Sequence, residues 1–503
     1  MKALFTPTSY KQGTVLAVSA TLVWKAVSFL NALLLALYFG ADRQSDIYFY
    51  VIMLTGFGVA FLQRLNQTVL IPEAMFLQQE EEQTARRFIT MWLYLYTILG
   101  IIMSAVGILY PACIWHLLSR FSGPILTADT TLLACGAVLF ALQILTYYLT
   151  AVAEMYKFFK TAWLGVLNAL CPLICLLVWG RQVGIISMLY GFLIANLLQL
   201  IVLLGVLKTQ LGWSFTPAWI KLRVQTRQHM LTGQTLALVD IINSLLPVYL
   251  ISAMGTGLIS ALNYSRQFTD STTEVFTSRA ANISKIQMTE QAAQHRLQAL
   301  NQTWFNTSYA LLLVLAPLVV FSCYFAPQIV ELFFQRGHFG AQAAQDTVSF
   351  LRPLLFTLLL AVPGYLQNSA LAACRKIKEG FPYALASGCI FTALAVYVIP
   401  RAGAFSYPYL VSAGLLIGFM FNARLFKKHF PFLDYMAPLK LVIRQTLLGA
   451  FALVPAACLK IILPENCWIQ IGVCGLVFVG SYAALLYTTQ ERKKLLQLLR
   501  NGF

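Results

Sequence analysis

Long apolar runs recur from one end of this chain to the other, and that repetition leaves few folds open to it. They fall at 14–39, 46–76, 88–113, 130–154, 159–180, 183–207, 230–254, 257–284, 304–326, 343–374, 381–400, 403–421, 439–463 and 467–489. Each can cross about 30 Å of hydrocarbon as a helix. Lipid offers backbone groups no hydrogen-bond partners, so a spanning segment must be a helix or part of a closed barrel. The period-two alternation of barrel strands is absent. The reading is an all-α polytopic membrane protein of about fourteen transmembrane helices. Composition agrees: 59% of residues are hydrophobic and 11% charged, against about a quarter charged in soluble domains, and mean hydropathy is +0.73. The first run is too long for a signal-peptide core and no small-residue cleavage site follows it, so it is expected to be retained.

Lys and Arg fix the expected orientation. With the N-terminus inside, 25 of the 35 basic residues lie in cytoplasmic connections or the span ends beside them, and Arg43, Arg120, Arg181, Arg336 and Arg401 lie outside. An odd number of spans would destroy this asymmetry, so both termini are expected to be cytoplasmic. The formal charge of +17 then reflects topology and attraction to anionic headgroups, and no nucleic-acid partner is expected. The ten cysteines form no CxxC pair and the five histidines are scattered, so neither a metal site nor a disulfide framework is expected. No external connection has room for a catalytic domain, which points away from an enzyme.

Five basic residues remain inside spans: Lys25, Arg64, Arg266, Arg352 and Lys460. Lys25 lies eleven residues past Thr14, roughly 16 Å into the membrane at 1.5 Å per residue, farther than a lysine comfortably snorkels. Thr14, Thr21, Lys25, Ser28 and Ala32 share a helical stripe with Asn31 to one side, a stripe that belongs against protein or water. Arg352 and Lys460 lie near span ends, where interface anchoring and a functional role both stay open, with anchoring the stronger reading for Lys460. In the eighth span Asn263, Arg266, Asp270, Thr273, Glu274 and Thr277 follow i, i+3, i+4 spacing on one face. Span two adds Gln63, Arg64, Asn66 and Gln67, and span seven adds Asp240, Asn243 and Ser244. Four polar helices at membrane depth predict a central wet passage; the bland reading of each charge is a pairing that serves packing alone.

The organisation expected is an N-lobe over residues 1–207, a basic cytoplasmic linker over 208–229 and a C-lobe over 230–428, each lobe holding six helices around the passage. Two extra helices over 429–489 and a basic amphipathic tail over 490–503 complete the chain. "FGADRQSDIYFY" from Phe39 and "MGTGLISALNYS" from Met254 occupy equivalent places in the two halves, as internal duplication in a secondary transporter would produce.

Three stretches carry a resemblance: "FGADRQSDIYFY", "VELFFQRGHFGAQAAQDTVSFL" from Val330 and "AACRKIKEGFPYALAS" from Ala372. Together with the span count they resemble the MviN/MurJ family of lipid II flippases, within the multidrug/oligosaccharidyl-lipid/polysaccharide exporter superfamily. "FFQRGHF" at 333–339 is the most specific. The resemblance implies an inward-facing cavity between two lobes, a cationic cluster that grips the pyrophosphate of an undecaprenyl-linked saccharide, and a groove near spans thirteen and fourteen for the lipid tail. Carried over by position, Lys25 and Arg266 take the places of family arginines, and Asp46 that of the acid opening helix two. Asn31, Gly58 or Val59, and Gln63 stand where the family has other charges, and Arg64 lies about one turn beyond.

What the resemblance implies is a flippase carrying lipid II to the outer leaflet of the bacterial inner membrane for peptidoglycan synthesis. Lys25, Asn31, Gln63, Arg64 and Arg266 are the candidate binding residues. Asp46, Asp240, Asp270 and Glu274 are candidates for balancing charge or coupling an ion. No cofactor is expected; membrane potential, protons or sodium stand as driving forces. The partners expected are the lipid-linked saccharide and membrane lipids, with the protein a monomer. Flipping of another lipid-linked glycan, drug or cation exchange, a membrane glycosyltransferase and a transport-inactive scaffold stay open as alternatives.

Overall fold

The computed structural model describes residues 10–121, 129–217, 219–220, 224–374 and 376–488. Every regular element among them is helical. The tail over 490–503, expected to be an amphipathic helix, lies outside the described residues. Packing divides the chain into two compact units, Met1–Ser260 and Ala261–Phe503.

The first unit begins with α1 (Tyr10–Phe39) and α2 (Arg43–Leu65), and the sequence between them explains the turn. Gly40 at φ 66° takes the left-handed conformation that ends helices, and its N–H returns to Ala36 O at 2.9 Å. Asp42 then caps α2, its carboxylate accepting from Ser45 N–H at 2.8 Å. A single π turn, Asn66–Leu70, carries α2 into α3 (Ile71–Glu80) without a break, so the second span is one long helix, Arg43–Glu80. Asn66 in that turn is buried and accepts a hydrogen bond from the Tyr96 hydroxyl at 2.8 Å. Tyr96 lies on α4 (Glu82–Leu109).

After α5 (Pro111–Leu118) come α6 (Thr130–Met155), a 3₁₀ stretch Phe159–Val166 running into α7 (Leu167–Val183), then α8 (Ile186–Leu211) and α9 (Val224–Ile251). Helix α6 packs on α2, α4 and α8, and α7 packs on α8 and α1. The α7/α8 contact depends on Gly191: a Cβ there would meet the backbone of Pro172 and stand 2.7 Å from the Cys171 carbonyl. Backbone cannot rotate away as a side chain can, so Gly191→Ala forces the helices apart, at about 1–3 kcal/mol for overpacking. A lowered melting temperature of the purified variant in detergent checks this, and Gly165→Ala, where a Cβ meets nothing, is the matched control.

The segment after α8 folds back on the unit instead of hanging free. Gly212 closes the helix at φ 60°. Trp213 is buried, donates to Thr90 Oγ1 at 3.0 Å and stacks on Phe215 at 5.8 Å.

The second unit is built from α10 (Leu258–Thr272), whose first residues belong to the first unit, followed by a π turn Thr273–Ser278 and α11 (Arg279–Ala293). Then come α12 (Leu297–Tyr324), α13 (Ala326–Phe333), α14 (Ala341–Ala373), α15 (Ile377–Ala402), α16 (Tyr407–His429), α17 (Ala437–Ile462) and α18 (Cys467–Thr488). Helix α14 is central, packed by α11, α12 and α16. The last two helices, α17 and α18, close on α12 and on each other around Phe325, Ala452, Ala456, Cys474 and Phe478. Tyr482 fastens them, donating to Gln445 Oε1 at 2.9 Å.

Among the described residues, thirteen helices are long and apolar enough to cross a membrane, one fewer than the fourteen expected. The difference is the eighth. Its helix is present from Leu258 to Ala293, but its polar face removes it from the apolar set. Its π turn also corrects the expected single face: one residue added to a turn rotates the residues beyond it by about 100° relative to Asn263, Arg266 and Asp270. Thr277, placed with them by simple periodicity, is buried.

Candidate functional site

The side chains expected at the site separate into groups with different surroundings. In the first unit, Arg64 at the end of α2 forms an ion pair with Asp240 in the middle of α9. Their side chains are 41% and 62% exposed. Ser244, one turn beyond Asp240, bonds back to its carbonyl at 2.8 Å. Gln63 is half-buried beside this pair in sequence. Asp240 is eleven residues from the end of α9, about 16 Å along the helix. An exposed carboxylate and guanidinium at that depth cannot face hydrocarbon cheaply, so this wall faces water or a polar ligand.

Lys25 is half-buried on α1, with Nζ 4.8 Å from the centre of the Trp24 ring. The indole face supplies partial compensation for a cation at membrane depth. Asn31, two turns along, does something else. It is buried, and its amide donates to Ala169 O of α7 at 2.8 Å, which binds α1 to its neighbour.

Asp46 sits in the first turn of α2 and is 1% exposed. Its carboxylate accepts from Gly257 N–H at 2.5 Å, Ser260 N–H at 2.8 Å and the Ser260 hydroxyl at 2.7 Å. These donors are the free amide ends of α10's first turn, where a negative charge is favoured. Asp46 therefore caps α10 from across the unit, with its acceptor capacity largely filled.

In the second unit, Arg266 projects from α10. It donates to the hydroxyl of Tyr407 and lies 5.3 Å from the centre of that ring. Tyr407 is buried at the start of α16. Asp270, one turn on, is exposed and shares the i, i+4 side of the helix with Arg266. Glu274 falls in the π turn, and its side chain lies outside the described residues. The opposite face of α10 is an anchor. Tyr264 packs at 5.0 Å on Phe334 and 5.3 Å on Phe339, and Phe268 at 5.7 Å on Phe334. Residues 264 and 268 lie about 200° from 266 on the helix, so the "FFQRGHF" turn, pivoting on Gly337 at φ 60°, holds the back of the helix that presents Arg266.

The two remaining intramembrane cations are tied at helix ends. Arg352 Nε donates to Cys323 O at 3.2 Å, engaging a terminal carbonyl of α12. Lys460 lies over the rings of Tyr324 and Phe325 at 4.9 and 5.2 Å.

The sequence places Arg64, Asp240, Arg266 and Asp270 on polar helices, and the structure joins the first two directly. The sequence gives no sign of Tyr407, which stands 141 positions from Arg266 and carries no local mark; only the fold brings them together.

A many-helix membrane protein that keeps a charged pair exposed at bilayer depth is built as a transporter. Solved structures agree on the architecture. The chain is similar to "Lipid II flippase MurJ, inward closed conformation" at 16% identity and TM-score 0.78, covering 94% of this chain and 98% of that one. It is also similar to an inward-facing multidrug resistance MATE family transporter of the MOP superfamily, at 12% identity and TM-score 0.63, covering 87% and 98%. A MOP superfamily transporter from Pyrococcus furiosus matches at 12% identity and TM-score 0.52, covering 87% and 93%. No curated protein matches the chain. The profile of the lipid II flippase MurJ family matches residues 35–481, and the chain belongs to that family.

Proposed function

We propose that this protein moves lipid II, an undecaprenyl-pyrophosphate-linked saccharide, from the cytoplasmic to the outer leaflet of the bacterial inner membrane for peptidoglycan synthesis. The observation that carries the reading is the exposed Arg64–Asp240 pair at membrane depth in a chain of the MurJ family. The lipid's tail can stay in hydrocarbon throughout. Only the charged, hydrated head needs shelter.

In this reading Lys25 and Arg64 in the first unit, and Arg266 in the second, are each suited to give charge-assisted hydrogen bonds to phosphate oxygens. The exposure of the Arg64–Asp240 pair supports an exchange of partners. An exposed ion pair is worth only about 0–1 kcal/mol, so Asp240 gives up Arg64 to a phosphate at little cost. Tyr407 holds one arm of the Arg266 fork through its hydroxyl. Asp240 and Asp270 then balance the cations once the head has left, and alternating access presents these groups to one side of the membrane and then the other. Membrane potential, worth about 2.3 kcal/mol per charge per 100 mV, is sufficient to bias the return. The protein works as a monomer with both termini in the cytoplasm, without a cofactor or covalent chemistry.

Lipid II translocation in proteoliposomes tests the reading. The parent is expected to flip lipid II. Arg64→Asp is expected to lose most of that activity through repulsion of both Asp240 and phosphate, and the swap Arg64→Asp with Asp240→Arg to recover part of it. Absence of transport by well-folded parent protein overturns the proposal.

A further inference from the structure

The outer surface of the first unit carries a groove that the transport reading does not use. It encloses about 510 Å³ between α4, α6 and α8, a ligand-sized volume. Leu93, Leu145, Leu200 and Leu204 make its wall. Its two hydroxyls are already engaged: Thr97 donates to Leu93 O at 2.8 Å and Tyr94 to Phe215 O at 2.9 Å. The groove thus offers hydrocarbon to an occupant along nearly all its length.

One end differs. Lys208, in the last turn of α8, lines the groove, is exposed, and has no carboxylate partner among the described residues. Leu200, on the groove wall, is eight residues back, about 12 Å deeper along the helix. The neighbouring outward faces are apolar and exposed at Ile98, Ile101, Leu197 and Ile201, as befits surfaces in contact with lipid. An ammonium at the membrane boundary above a hydrocarbon slot matches the two parts of one molecule: an anionic headgroup and the acyl chain beneath it.

We propose that this groove is a binding site for an anionic phospholipid of the surrounding leaflet, with one acyl chain in the α4–α6–α8 slot and its phosphate on Lys208. Phe215, from the folded-back segment, lines the slot, so a bound lipid braces the connection between α8 and α9. Lys208 is remote in sequence from the polar residues of α2 and α9 and is absent from the transport scheme.

Native mass spectrometry of the full chain, after exchange into phosphatidylglycerol or phosphatidylcholine with identical chains, tests the site. The parent is expected to retain phosphatidylglycerol about fivefold better, the ratio a single lysine near an anionic headgroup supplies. Lys208→Arg keeps that preference. Lys208→Ala, a surface change that leaves the core untouched, removes it, and Gly205→Leu, which fills the slot, reduces retention of both lipids. An undiminished preference in Lys208→Ala overturns the proposal. So does displacement of bound phosphatidylglycerol by equimolar undecaprenyl phosphate, which would give the slot to the carrier's tail.

Discussion

Arg266→Ala is expected to abolish rescue of bacterial cells depleted of their own lipid II flippase, and Lys25→Ala to do the same, at membrane levels equal to the parent's. The expectation rests on what each cation does. A hydrogen bond to a charged partner contributes about 1.5–3 kcal/mol, so losing one phosphate contact lowers head binding roughly 10- to 100-fold. Arg266→Lys should recover little, because an ammonium does not reproduce the fork that holds the Tyr407 hydroxyl and meets phosphate in two places. Tyr407→Phe isolates the orienting hydroxyl: it keeps the ring, removes that one acceptor from the guanidinium, and is expected to fall between parent and Arg266→Ala. Normal rescue by both alanine variants at matched levels would remove these cations from the mechanism. If the well-expressed parent itself fails, lipid II is the wrong cargo.

How far the sequence reveals this protein depends on the range over which each signal acts. Helices are written locally. Apolar runs place the spans, and Gly40 and Asp42 end one helix and begin the next through contacts within a few residues. The π turns at Asn66–Leu70 and Thr273–Ser278 are not legible, because one extra residue scarcely disturbs an apolar run while rotating everything beyond it. Site residues are partly legible for the same reason: polarity at membrane depth marks Arg64, Asp240 and Arg266, but does not name partners. Asn31 and Arg266 look alike as polar residues in a span. One spends its amide on the Ala169 carbonyl of a packed neighbour, whereas the other stands beside an exposed carboxylate on its own helix. The "FFQRGHF" motif shows the reverse case, a recognisable string whose work is to clamp the back of α10 through Phe334 and Phe339.

Asp46 and Asp240 are both acids in spans that sequence alone assigns to charge balance or ion coupling, and their variants should fail in different ways. Asp46→Asn places an amide N–H where the carboxylate accepted, facing the amide hydrogens of Gly257 and Ser260. Each buried donor left unpaired costs about 1–3 kcal/mol, so Asp46→Asn and Asp46→Ala are expected to lose about 3 kcal/mol or more, with a melting temperature in detergent several degrees below the parent's. Gly257→Ala should reproduce that loss without touching the acid, since Gly257 sits at φ 86° with a would-be Cβ 2.8 Å from the Ala41 carbonyl. An L-residue is strained there by about 1–2 kcal/mol before the clash is counted. Asp240→Asn removes only an exposed ion pair, so its melting temperature should stay close to the parent's while transport changes. The contrast assigns Asp46 to holding the start of α10, the helix that carries Arg266, and Asp240 to the charged surface itself. A stable Asp46→Asn protein that no longer transports would reverse that assignment and return Asp46 to the coupling machinery.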